Sequence, residues 1–130
     1  YVIFLGVCKD DSDEHAQYLA DRTVALRIFP DDQGRMNRSI LEVGGSALVV
    51  SQFTLQADTR KGNRPGFTDA APPDVADRLY QAYVAHLREL LGPQRVATGV
   101  FRTRMLVEIH NNGPVTIELL SKNEYNDQKE

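Results

Sequence analysis

The stretch "PDVADRLYQAYVAHLRELLGP" constrains the fold most, because both of its ends are fixed by residue type. Pro73 suits a first helical turn, where its missing N–H is no loss, and Gly92-Pro93 stops the helix. Between them Val75, Leu79, Tyr83, Leu87 and Leu90 fall on one helical face. A helix with one apolar face must bury it against a second layer. Strand-like sequence lies on both sides to supply one. "GGSALVVSQFTL" reads as a strand from about Ala47 to Thr54 through its β-branched core. Three further strands are expected around Val96, from Arg104 to His110 and from Val115 to Leu120.

The first part of the chain repeats the pattern. Tyr1 to Val7 reads as a buried strand closed by Gly6 and a polar stretch, with Asp11 or Ser12 positioned to cap a helix. Ala16, Leu19, Ala20, Thr23 and Val24 then recur at helical spacing, and "PDDQG" marks a turn. The expected fold is α+β: a largely antiparallel β-sheet or barrel packed with two main helices. Asp58 to Pro73 is a long polar loop, of the kind often functional inside a compact domain. Residues 1–120 form the expected domain, and "SKNEYNDQKE", residues 121–130, reads as a frayed polar tail.

Bulk properties exclude some functions. With 130 residues the chain is expected to hold one modest core. No apolar run approaches the roughly 20 residues of a membrane-spanning helix. The opening "YVIFLGV" reads as a strand rather than a signal peptide. Cys8 is the only cysteine, so no internal disulfide is available, and burial at a strand end is its expected role rather than reactivity. A net charge of −3 argues against a general nucleic-acid coat, while leaving room for a small basic patch that grips one end of an RNA.

Familiar catalytic patterns are scarce. His15, His86 and His110 lack partners at metal-ligand spacing, so no metal site is expected. Neither a Gly-x-Ser-x-Gly elbow nor a phosphate-binding glycine loop is present. What remains is polar chemistry at strand ends. Ser51 and Gln52 are either a polar step on a strand or site residues. "NNGPVT", from Asn111 to Thr116, is either a plain turn or a piece of backbone machinery, since Gly113 permits close approach and Pro114 removes a donor. Arg60, Lys61 and Arg64 are either a solvated loop face or phosphate contacts.

Taken together, "SQFTLQADTRKGNRPGFTDAAPP", "TGVF" and "NNGPVT" resemble the D-aminoacyl-tRNA deacylases. That family carries an S-Q-x-x-L motif and an N-x-G-P-x-T motif, which stand here at Ser51–Leu55 and Asn111–Thr116. The resemblance runs from about Tyr1 to Leu120. It also implies an N-terminal strand and hairpin that this sequence, starting inside a strand at Tyr1, apparently lacks. Two positions depart from the pattern: Gln56 stands where an aromatic is common, and Arg102-Thr103 where small residues are usual, which suggests altered RNA contacts.

The resemblance implies a cytoplasmic homodimeric hydrolase acting on aminoacylated tRNA, without cofactor, metal or membrane. It implies a cis Gly113–Pro114 bond, inserted into the active site of the dimer mate, that excludes L side chains and cannot exclude glycine. Ser51, Gln52 and Thr116 would carry the catalytic chemistry, with Thr116 a nucleophile or, preferably, a positioning group. Gly113, Pro114, Phe53, Phe101 and Met105 would bind substrate and select its hand. For Phe101 that means stacking on the terminal adenine, against a competing reading as core packing. Two alternatives stand beside this: a non-catalytic tRNA-binding or dimerisation module derived from the fold, and an ordinary serine esterase.

Overall fold

A computed structural model describes residues 1–121. The elements run β1 (Val2–Leu5), α1 (Asp13–Ala25), β2 (Phe29–Pro30), β3 (Met36–Arg38), α2 (Ile40–Val43), β4 (Ala47–Ser51), a 3-10 turn (Phe53–Gln56), α3 (Pro73–Leu91), a second 3-10 turn (Pro93–Arg95) and β5 (Val96–Thr98). β4 lies at the centre of a three-stranded sheet in the order β1-β4-β5. Its apolar run suits that place, with Ala47, Val49 and Val50 buried.

The α+β class agrees with expectation, but the strand direction does not. β1 pairs with β4 in parallel, Val2 to Leu48 through Leu5 to Ser51, and β4 pairs with β5 in parallel, Ala47 to Val96 through Val49 to Thr98. A long crossover containing a helix separates each pair, α1 in the first and α3 in the second, and such crossovers return the chain in its original direction. Antiparallel pairing is confined to β2 and β3, around a turn in which Asp31 accepts from the backbone N–H groups of Gln33 and Arg35 at 2.9 and 3.0 Å. The sequences expected as strands from 104 to 110 and from 115 to 120 form no ladder among the described residues. Their alternating apolar side chains stand largely in solvent, Leu106 at 89% exposure. The proposed tail lies outside the described residues except for Ser121.

Helices α1 and α3 pack on each other and on one face of the sheet. Leu5, Ala20, Ile40, Val49, Tyr83, Val84 and Leu87 form the centre of this core. Two tyrosines on α3 satisfy their hydroxyls inside it. Tyr80 donates to the Val49 carbonyl at 3.1 Å, tying α3 to the central strand. Tyr83, 1% exposed, meets the Thr23 hydroxyl at 2.9 Å, and Thr23 in turn donates to the Leu19 carbonyl at 2.7 Å. Burial pushes the Tyr83 phenol up to about 12, with the Thr23 hydrogen bond acting in the opposite direction. His86 Nε2 lies 2.7 Å from Asp21, a further link between the two helices. Helix α2 is short but doubly capped: Ser39 accepts from the Glu42 amide, and Glu42 accepts from the Ser39 amide. None of the described helices is long and apolar enough to cross a membrane.

Candidate functional site

The first half of the candidate site is built where the parallel strands β1 and β4 end. Ser51 is the last residue of β4, opposite Leu5. One residue on, the Gln52 amide still donates to the Leu5 carbonyl at 2.8 Å, so the sheet fixes Gln52 before the chain turns away. Phe53–Gln56 then form a 3-10 turn rather than the continued strand that the sequence suggested to Thr54. The Gln52 side chain donates to the Thr54 hydroxyl, closing the turn over itself.

Gly6 supports this turn from below. A Cβ there would lie 2.9 Å from Leu55 Cβ, 2.9 Å from Gln56 Nε2 and 3.2 Å from the Gln52 carbonyl oxygen. A side chain fits there only if the turn shifts, so the end of β1 and the turn pack closely across Gly6. Next to it, the half-buried Cys8 thiol donates to Gln56 Oε1 at 2.8 Å. Gln56 therefore faces inward to Cys8, which is a structural use for a position first read as tuning RNA contacts. A glycine closing an apolar strand is a sequence signal of close backbone approach, and Gly6 carried that signal without showing what approaches it.

The second half, Asn111–Thr116, is held by its own side chains. Asn111 accepts from the Val115 amide at 3.0 Å and donates to the Thr116 hydroxyl at 3.1 Å. Gly113–Pro114 is a cis peptide bond, and Gly113 has a φ of +149°, a region open essentially to glycine alone. The whole segment is exposed. Among the described residues no hydrogen bond joins it to Ser51–Gln56, and it lines neither of two cavities found elsewhere on the chain. One cavity, about 20 Å³, is lined by Gly6, Asp11, His15 and Tyr83 among others. A second, about 710 Å³ and open, lies against the β2–β3 hairpin between Arg27, Arg35 and Arg38.

The remaining candidates are dispersed. Phe101 is half-buried with its ring against Tyr80 at 6.0 Å, packed against the core. Met105 lies across Gly99, its Sδ 2.6 Å from where a Cβ would be, with Val50 beside it. Phe53 is 58% exposed and meets Phe67 at 5.1 Å. In the polar loop, Arg60 grips Asp58 through Nε to Oδ1 and Nη2 to Oδ2, both at 2.9 Å, and holds that carboxyl down at about 2. Lys61 and Arg64 are exposed. No imidazole or carboxylate hydrogen-bonds to Ser51 or Thr116 among the described residues, and the Thr116 hydroxyl accepts from Asn111 instead. No group of three His, Cys, Asp or Glu side chains gathers among those residues in a way that would hold a metal.

Comparison with known proteins gives a consistent result. Residues 1–120 match the family model described as D-Tyr-tRNA(Tyr) deacylase. The D-aminoacyl-tRNA deacylase of Anaeromyxobacter dehalogenans is 57% identical over 121 residues, 93% of this chain and 80% of the relative. That of Heliobacterium modesticaldum is 54% identical over 116 residues, 89% of this chain and 76% of the relative. Among solved structures, the c-Myc DNA unwinding element binding protein superimposes with a TM-score of 0.87 at 35% identity, covering 92% of this chain and 80% of that one. A probable eukaryotic D-amino acid tRNA deacylase reaches a TM-score of 0.68 at 18% identity, over 79% of this chain and 75% of that one, a likeness of fold.

Proposed function

The chain belongs to the D-Tyr-tRNA(Tyr) deacylase family, and on that premise we propose that it hydrolyses the ester of D-aminoacyl-tRNA to free tRNA and D-amino acid. The observation that carries the reading is the turn after β4. Ser51 and Gln52 stand at the end of the central strand, locked to β1 and pressed onto Gly6. A positioned turn of this kind can hold an ester without supplying a nucleophile.

The chemistry suits such a site. An ester already has a tolerable leaving group, so water can add to the acyl carbon while the ribose oxygen departs with a proton. The substrate's own 2′-hydroxyl lies beside the ester and assists, a group prepositioned by the substrate itself. Gln52 and the amides that open the 3-10 turn stabilise the developing oxyanion. Thr116, its oxygen held by Asn111, positions substrate rather than attacking it.

Selection of hand belongs to the main chain of Gly113 and Pro114. Their carbonyls collide with an L side chain and leave the D direction open, whatever the side chain is. Glycine has nothing to collide, so glycyl-tRNA is also cleaved. The segment from Asn111 to Thr116 is exposed on the chain and free to meet a partner, and in this reading the protein is a homodimer in which each Gly113–Pro114 unit completes its mate's site. In this reading residues 1–120 are the catalytic domain and tRNA in the cytoplasm is the partner.

The test is deacylation of D-tyrosyl-, L-tyrosyl- and glycyl-tRNA by the purified chain. Cleavage of the D and glycyl esters with the L ester spared is expected. Binding of tRNA without turnover of any ester would favour the non-catalytic tRNA-binding module. Hydrolysis of simple activated esters, with inactivation by serine-acylating reagents, would favour the serine esterase.

A further inference from the structure

Phe53 and Phe67 are both large, apolar and exposed, at 58% and 38%, and their rings meet at 5.1 Å with an interplanar angle of 59°. They stand at the two sides of one loop neck. Asp58 and Gly66 exchange both backbone hydrogen bonds, at 2.7 and 2.9 Å, and Phe67 follows the neck directly. Every residue from 59 to 65 is exposed, and this stretch carries the loop's three cations.

The cations are not equivalent. Arg60 is committed to Asp58 through both guanidinium contacts and a backbone N–H at 3.0 Å, so it braces the neck. Lys61 and Arg64 make no ion pair or hydrogen bond among the described residues. An exposed aromatic pair beside two unpaired cations matches the chemistry that binds single-stranded nucleic acid, in which bases stack on rings and phosphates meet positive charge.

We propose that Phe53 and Phe67, with Lys61 and Arg64, form a subsite for the single-stranded 3′ nucleotides that precede the terminal adenosine of tRNA. This rests on the reading that the chain acts on aminoacyl-tRNA. Phe67 supplies a stacking face, Lys61 and Arg64 meet the phosphates, and Arg60 holds the loop in shape. Phe53 adjoins Gln52 in the chain, so the subsite is continuous with the turn that holds the ester.

The experiment measures affinity for two non-hydrolysable probes: amide-linked D-tyrosyl-adenosine, and an RNA hairpin carrying the same amide at the end of a single-stranded CCA. Wild type is expected to bind the hairpin more tightly. Phe67→Ala should weaken hairpin binding by roughly 5- to 150-fold, the range for losing one stacked base, and leave the mononucleoside unchanged. Phe67→Tyr should keep both affinities. The Lys61→Ala/Arg64→Ala double variant should reduce the slope of log affinity against log salt by about 1.4, about 0.7 for each lost phosphate contact on a single strand.

Unchanged hairpin binding by Phe67→Ala would overturn the subsite, as would equal loss on both probes. A fall in solution mass caused by Phe67→Ala would assign the ring pair to a protein interface instead. If wild type binds the mononucleoside but gains nothing from the RNA, this inference fails while the deacylase reading stands. If it binds neither probe, both fail.

Discussion

Replacing Gly6 by Ala adds one methyl group at the point where β1 meets the turn of the candidate site. Gly6 does not have a left-handed backbone, so the substitution brings no conformational strain of its own, and its effect is steric. The new Cβ would sit 2.9 Å from Leu55 Cβ and 3.2 Å from the Gln52 carbonyl oxygen. Carbon atoms prefer about 3.5–4.0 Å, so the turn must retreat by roughly half an ångström. Gln56 can swing its amide aside, but Leu55 Cβ and the Gln52 carbonyl move only with the backbone. Overpacking of this kind costs about 1–3 kcal/mol. Since a 1 Å misplacement can cost about 100-fold in rate, half that distance should lower kcat about tenfold. Single-turnover deacylation of D-tyrosyl-tRNA measures the rate, and urea denaturation measures stability. Gly34→Ala is the control: it is strained at φ +77°, but its Cβ meets nothing within 4 Å, so it should lose stability and keep its rate. A Gly6→Ala protein with wild-type rate and stability would refute the argument. So would rate losses in both variants that merely track their stability.

Tyr83→Phe tests the buried hydroxyl pair. The folded phenol is raised to about 12 against an ordinary 10, so the unfolded chain ionises first and stability falls as pH rises through that window. Wild type should lose about 3 kcal/mol from this group between pH 10 and 12, and Tyr83→Phe should lack that part of the decline in urea denaturation. Gly113→Ala places a Cβ 3.0 Å from Val115 Cγ2 at a φ of +149°, a strain of about 1–3 kcal/mol. Its D-tyrosyl-tRNA turnover should fall at least tenfold, beyond what the stability loss in urea denaturation accounts for; wild-type turnover would remove Gly113 from the proposed site. Ser39→Ala should destabilise by about 1 kcal/mol in urea denaturation by uncapping α2, without changing turnover.

Local signals made much of the fold legible. Pro73 and Gly92 marked α3, Ser12 stood among the caps for α1, and the β-branched letters of Ala47–Ser51 marked β4. Strand direction was not legible in the same way, because it is set by where each crossover returns the chain. The β2–β3 pairing was missed for another reason: with two and three residues, its strands are too short to show a period. In the candidate site, motif spacing singled out Ser51, Gln52 and the Asn111–Thr116 clip. The support beneath them was hidden because Gly6 and Cys8 meet their partners only after about fifty intervening residues. Arg60 shows the opposite failure. Its partner Asp58 is two residues away, yet counting cations treats Arg60, Lys61 and Arg64 alike.

The two halves of the site are fastened by different means, and amide hydrogen exchange should register them differently. Leu48 and Val49 lie in a ladder with strands on both sides, so their amides exchange when the sheet itself opens. The Val115 amide is held by a single side-chain oxygen on an exposed segment, and it should exchange orders of magnitude faster. A ligand seated against both halves would slow exchange mainly in residues 111–116, because the strand is already slow. On the proposed reading, the footprint of a substrate is therefore expected mainly on the half that the sheet does not hold.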